Sequence, residues 1–156
     1  MANFIKSTAA PITKVVGGNT YTFPMLKRKH IGELLSRWAA EDRAHLLKNL
    51  EDSKVEGKDA FEKIEEFDRM SRLVSYGYQC LFEYTRACDV VAYSLKIEHP
   101  ENDADALIDD LPMTADELVT IACSLWGLNR ESLKDQGTDE GADPTQSQTG
   151  SSGTPS

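Results

Sequence analysis

Between Lys27 and about Glu51, apolar residues fall at Ile31, Leu34, Leu35, Trp38, Ala39, Leu46, Leu47 and Leu50. Spacings of three and four predict an amphipathic helix, with Asp42, Arg43 and His45 interrupting its stripe. After Gly57 the pattern resumes: Phe61, Ile64, Phe67 and Leu73 lie on one side and Glu62, Lys63, Glu65 and Glu66 on the other, a second helix. Residues 73–95 are apolar over most of their circumference. Leu73, Gly77, Cys80, Tyr84, Ala87, Val91 and Leu95 follow a near-heptad spacing, and Tyr78, Leu81, Phe82, Val90 and Ala92 fill much of the rest. Such a helix belongs at the centre of a fold, whether continuous from the second helix or broken near Ser75-Tyr76-Gly77. Seven of the twelve aromatic residues lie between Phe61 and Tyr93, which places the expected core there. His99-Pro100 closes the segment, because proline excludes helical geometry from the residue before it.

Shorter signals frame these helices. In "KVVGGNTYTFP", β-formers flank Gly17-Gly18-Asn19, which predicts a hairpin over 15–24 with Tyr21 and Phe23 on its apolar face. Two strands alone are marginal in water, so the hairpin must rest on helices or join another sheet. Asn102 or Asp103 caps a short helix carrying Ala106, Leu107 and Leu111, which Pro112 ends. Thr114 and Glu117 make a capping box for a last helix with Leu118, Ile121, Ala122 and Leu125 on one face, and Gly127 fits its C-terminal cap. The reading is mainly α: a single helical domain of four to five helices over 15–130 with a short N-terminal β-hairpin, preceded by a flexible arm over 1–14. A polar, Gly/Ser/Thr-rich tail over 131–156 is expected to be disordered, since it has too little apolar surface to offset chain entropy.

Charge narrows the partners. The chain has 17 Lys and Arg against 26 Asp and Glu, a net charge of -9. Residues 1–49 hold eight basic and three acidic side chains, residues 50–130 eight and eighteen. Nucleic acid is not an expected partner of so acidic a chain, and Lys27-Arg28-Lys29 is too small a basic cluster to reverse this. No window approaches the roughly 18 apolar residues that a membrane span needs, and the N-terminus has no signal-peptide core, so a soluble intracellular protein is expected. Cys80, Cys88 and Cys123, odd in number and without framework spacing, read as reduced, partly buried thiols.

Chemistry is sparse. His30, His45 and His99 stand apart from any nucleophile motif, metal-ligand spacings are absent, and Gly17-Gly18 lacks a phosphate-loop context, so neither catalysis nor a cofactor is expected. Eight carboxylates and no Lys or Arg lie between Glu98 and Glu117. Asp103, Asp105, Asp109 and Asp110 do not form a calcium loop, because residues 103–114 place Ile108 and Thr114 where glycine and glutamate are required. A solvated acidic face is the simplest reading, a docking surface for a basic partner the sharper one. Trp38 reads as core. Trp126 follows the last helix's stripe by one position, either closing the core or sitting at a contact.

Taken in order, a "YTFP" strand, the helix in "LKRKHIGELLSRWA", a central apolar helix, "HPENDADALIDDLPMTADELVTIACSLWGLN" and a polar tail resemble the small tail assembly chaperones of long-tailed bacteriophages, over about residues 19–130. The resemblance implies a non-catalytic protein of the host cytoplasm that coats the tape measure protein until the tail tube polymerises. It also implies homo-oligomerisation, contact with the tail tube protein through a frameshifted longer form, and absence from the mature virion. Leu118, Ile121, Leu125 and Trp126 would then be the protein-binding residues, as the lip of a groove for a client helix, or else the last wall of the core. Two other readings compete. One is a structural head-to-tail connector. The other is an acidic nucleic-acid-mimicking inhibitor, which fails if Leu107, Leu111 and Leu118 fold the acidic segment against the core.

Overall fold

The computed structural model describes residues 10–128. The expected arm falls largely outside them, as does the expected tail at 131–156. The described residues are mainly helical, with a short antiparallel hairpin at the N-terminus. β1 (Ile12–Val16) and β2 (Asn19–Phe23) pair from Ile12↔Phe23 to Val16↔Asn19. The hairpin thus begins three residues earlier than expected, and residues 12–14 of the expected arm are strand. Its turn is the two residues Gly17 and Gly18, both at positive φ (57° and 82°), which a side chain would strain. Alternation puts Ile12, Val16, Tyr21 and Phe23 towards the core and leaves Val15 out in solvent. β2 lies on the fourth helix, which supplies the backing that two strands need.

Six helices follow: α1 (Arg28–Asp52), α2 (Gly57–Met70), α3 (Val74–Leu81), α4 (Tyr84–Glu98), α5 (Ala104–Asp109) and α6 (Ala115–Trp126). The central apolar segment is therefore two helices, and it breaks at Phe82-Glu83 instead of near Gly77. Neither glycine nor proline marks the break. It turns Phe82 outward while Leu81 and Ala87 stay buried, and it lets Arg86 of α4 reach back to Cys80 of α3.

The core forms around α4, whose Ala87, Val90, Val91, Ala92 and Leu95 are buried. α6 packs along it with Leu118, Val119, Ala122, Cys123 and Leu125, and α5 adds Ala104 and Ile108. Aliphatic residues fill this centre. The aromatic concentration at 61–93 does not mark it, since Phe61, Phe82 and Tyr84 are exposed and the buried aromatic rings are Phe23 and Trp38. The capping expectations hold: Asp103 accepts from the Ala106 N–H at 3.3 Å, Thr114 and Glu117 form the reciprocal box, and Gly127 closes α6 at φ 91°.

Gly77 serves a close approach. A Cβ there would lie 3.1 Å from Leu35 Cδ2 and 3.5 Å from Trp126 Cζ2. Gly77→Val is expected to destabilise the fold by about 1–3 kcal/mol through overpacking, read as a lowered denaturant midpoint at unchanged m-value.

Candidate protein-binding surface

The residues expected at a groove lip already have partners inside the fold. Leu118 and Leu125 are buried core residues, while Ile121 and Trp126 are half-buried against the same cluster. Helical spacing explains the split: positions 118, 122 and 125 face α4, and 121 and 126 flank that line. The Trp126 ring stacks on Trp38 with centroids 5.7 Å apart and planes 8° apart. Trp126 thus closes the core over α1 and α3. With two of the four side chains buried outright, this set does not form a free apolar lip.

Beneath Trp126 lies a polar cluster that the sequence reading missed. Trp38 Nε1 donates to Asp89 Oδ2 at 2.8 Å, and Arg37 Nη2 meets the same oxygen at 2.8 Å. The Arg86 guanidinium lies 5.6 Å from the Trp38 ring centroid, donates to Cys80 Sγ at 2.8 Å and forms a short ion pair with Asp42. Tyr76 Oη donates to the other Asp42 oxygen at 2.7 Å. Burial pushes the Asp42 carboxyl up, but hydrogen bonds from Arg86 and Tyr76 outweigh it and hold the group below its ordinary range. Burial likewise raises the Cys80 thiol against the pull of Arg86 and Tyr76, and so disfavours its thiolate. Among the described residues, no buried side-chain N or O lacks a partner and no cluster of His, Cys, Asp and Glu could hold a metal ion. The available signal was a charge, Asp42 or Arg86, set inside an otherwise apolar helical stripe.

Exposed apolar side chains lie elsewhere: Leu47 on α1, Phe61 and Met70 on α2, Leu73 and Val74 at the α2–α3 joint, and, apart from these, Val15, Phe82, Tyr84 and Ile97. α2 has no buried residue and packs against α1 through a half-buried line of Ala60, Ile64, Phe67, Asp68 and Ser71. Arg43 of α1 grips Asp68 with two hydrogen bonds, at 2.9 and 3.4 Å. Phe61 and Met70, two and a half turns apart, occupy opposite flanks of that line. Met70 continues into Leu73 and Val74 at the α2–α3 joint, where the three are 39%, 47% and 71% exposed. Of this patch the sequence reading counted only Leu73 in an apolar stripe, where periodicity predicted burial; Met70 and Val74 fell outside it.

The acidic segment is folded, not extended. Ala104, Ile108, Leu111 and Leu118 are buried and Leu107 packs at the core, which turns all eight carboxylates between Glu98 and Glu117 outward as the polar faces of packed elements. No helix among the described residues is long and apolar enough to cross a membrane. No family model matches the chain, and no curated protein or solved structure matches it.

Proposed function

We propose that this chain is a non-catalytic tail assembly chaperone that binds and solubilises a tape measure protein, and that Met70, Leu73 and Val74 are its client contact. One observation carries the reading. Among the described residues no buried side-chain N or O lacks a partner, yet Met70, Leu73 and Val74 stand exposed where α2, the helix with no buried residue, passes into α3. An amphipathic client helix reads such a patch through side chains at i, i+3, i+4 and i+7. The resemblance over residues 19–130 supplies the client. The inhibitor reading is set aside because Leu111 and Leu118 anchor the acidic segment in the core.

The test is co-expression with the client's long helical segment, followed by co-purification at low and high salt. Capture through an apolar patch should survive high salt, whereas docking on the acidic face should weaken. The double variant Leu73→Asp with Val74→Asp should abolish capture. It should leave stability within about 0.5 kcal/mol, as exposed substitutions usually do. Leu73 is the N-cap of α3, where aspartate is favoured, so unfolding would not account for the loss. Undiminished capture by the double variant would overturn the assignment of the contact, and salt-sensitive capture would return it to the carboxylates.

A further inference from the structure

Two histidines bracket the connection from β2 into α1, and both act as hydrogen-bond acceptors. At its start, the Thr22 N–H donates to His99 Nε2 at 3.3 Å, with the Tyr21 ring edge-on to the imidazole at 5.5 Å. At its end, the Lys27 N–H donates to His30 Nδ1 at 3.2 Å and caps α1. An imidazole nitrogen accepts only while unprotonated, and the ring changes charge within the pH range of about 5–8. The middle of the connection is held differently. Pro24 O accepts from Ser94 Oγ at 2.6 Å, and the Leu26 N–H donates to Leu125 O at 2.9 Å. Neither central bond contains a titratable group.

We infer that the β2 edge at Thr22 is an acid-released clasp: neutral His99 holds the Thr22 N–H and lets it go on protonation, while Phe23 stays in the core and Pro24 and Leu26 stay anchored. His99 has a partner for each protonation state. Neutral, its Nε2 takes the Thr22 N–H; charged, Nε2 bears a proton facing that N–H, and Nδ1 has the Glu101 carboxylate 3.9 Å away. Beside Glu101, the neighbouring charged and titratable groups are Glu98, next to it in the chain on α4, and Tyr21 on β2. Around His30 stand Lys27, Lys29 and Glu33 on α1 with Tyr93 and Lys96 on α4. Burial and the two flanking lysines hold the His30 imidazole below its ordinary range against the pull of Glu33, and so favour the neutral, accepting form.

Amide hydrogen exchange of the full chain, followed by NMR at pH 7.5 and pH 5 and corrected for intrinsic rates, tests this. Thr22 protection should fall about tenfold or more at pH 5, while Leu26 protection holds. In His99→Gln the acceptor remains but the titration does not, so Thr22 protection should be the same at both pH values. Equal protection of Thr22 at the two pH values in the unsubstituted chain would overturn the inference. So would a pH-dependent Thr22 in His99→Gln, or a parallel loss at Leu26, which would mark general unfolding.

Discussion

Trp38→Ala is expected to cost about 3–5 kcal/mol, the range for removing a fully buried aromatic side chain. Trp38 is 0% exposed and gives up three contacts at once: the stack on Trp126, the Arg86 guanidinium near its ring, and its hydrogen bond to Asp89. A typical domain is stable by only about 5–15 kcal/mol in all, so the variant should be near the limit of folding. Trp38→Phe separates the contributions. It keeps an aromatic ring against Trp126 but loses the donor to Asp89, and it should recover more than half of the loss. Denaturant midpoints followed by far-ultraviolet circular dichroism give both values. A Trp38→Ala protein as stable as the parent would refute the packing described for α1, α3 and α6.

Arg86→Ala is the second large effect. Arg86 is 11% exposed and Asp42 28%, so removing the guanidinium leaves a partly solvated charge without its partner, and the cost is about 3 kcal/mol, the low end of the range for a fully buried pair. Here the abandoned group is the Asp42 carboxylate, which keeps only the Tyr76 hydroxyl as donor. The pH dependence follows from the sign of the Asp42 shift. Its folded pKa lies below the unfolded value, so its contribution is complete above the ordinary carboxylate range and is lost as the pH falls through the folded pKa. Arg86→Ala should remove that acid-dependent component, so the parent and variant stabilities converge as Asp42 is protonated in both. Melting curves between pH 7 and pH 3 read this directly. A constant difference across that range would show that the pair contributes packing alone. In the double variant Asp42→Asn with Arg86→Met, the cost should be smaller than for Arg86→Ala, because no charge is stranded.

Local signals gave the elements of this fold more reliably than their arrangement. The caps at Asp103, Thr114 and Gly127 depend on neighbours three or four residues away, so the sequence contained both partners of each bond. The break at Phe82-Glu83 could not be read in that way. What favours it is a long-range fit, Arg86 reaching Asp42 across 44 positions, and no residue at the break carries a local signature. Periodicity identified the apolar side of α2 but not how much would cover it. Phe61 and Leu73 fit the same stripe as Ile64 and Phe67, yet they are exposed. Trp126 was ambiguous for a related reason: its position just off the α6 stripe is compatible with an interface until Trp38 is known to lie beneath it.

The bond from Leu26 to Leu125 also has a bearing on how the polypeptide reaches its native state. It joins positions about a hundred residues apart, as the two stacked indoles do, and contacts of such separation are entropically slow to form. During synthesis α1 and α2 leave the ribosome as sequence neighbours and can associate early. The surface of α1 that receives Trp126 must then wait until almost the entire domain has been translated. For that interval the nascent chain exposes the face of Trp38 that Trp126 covers, and its vulnerability to aggregation is greatest just before α6 arrives.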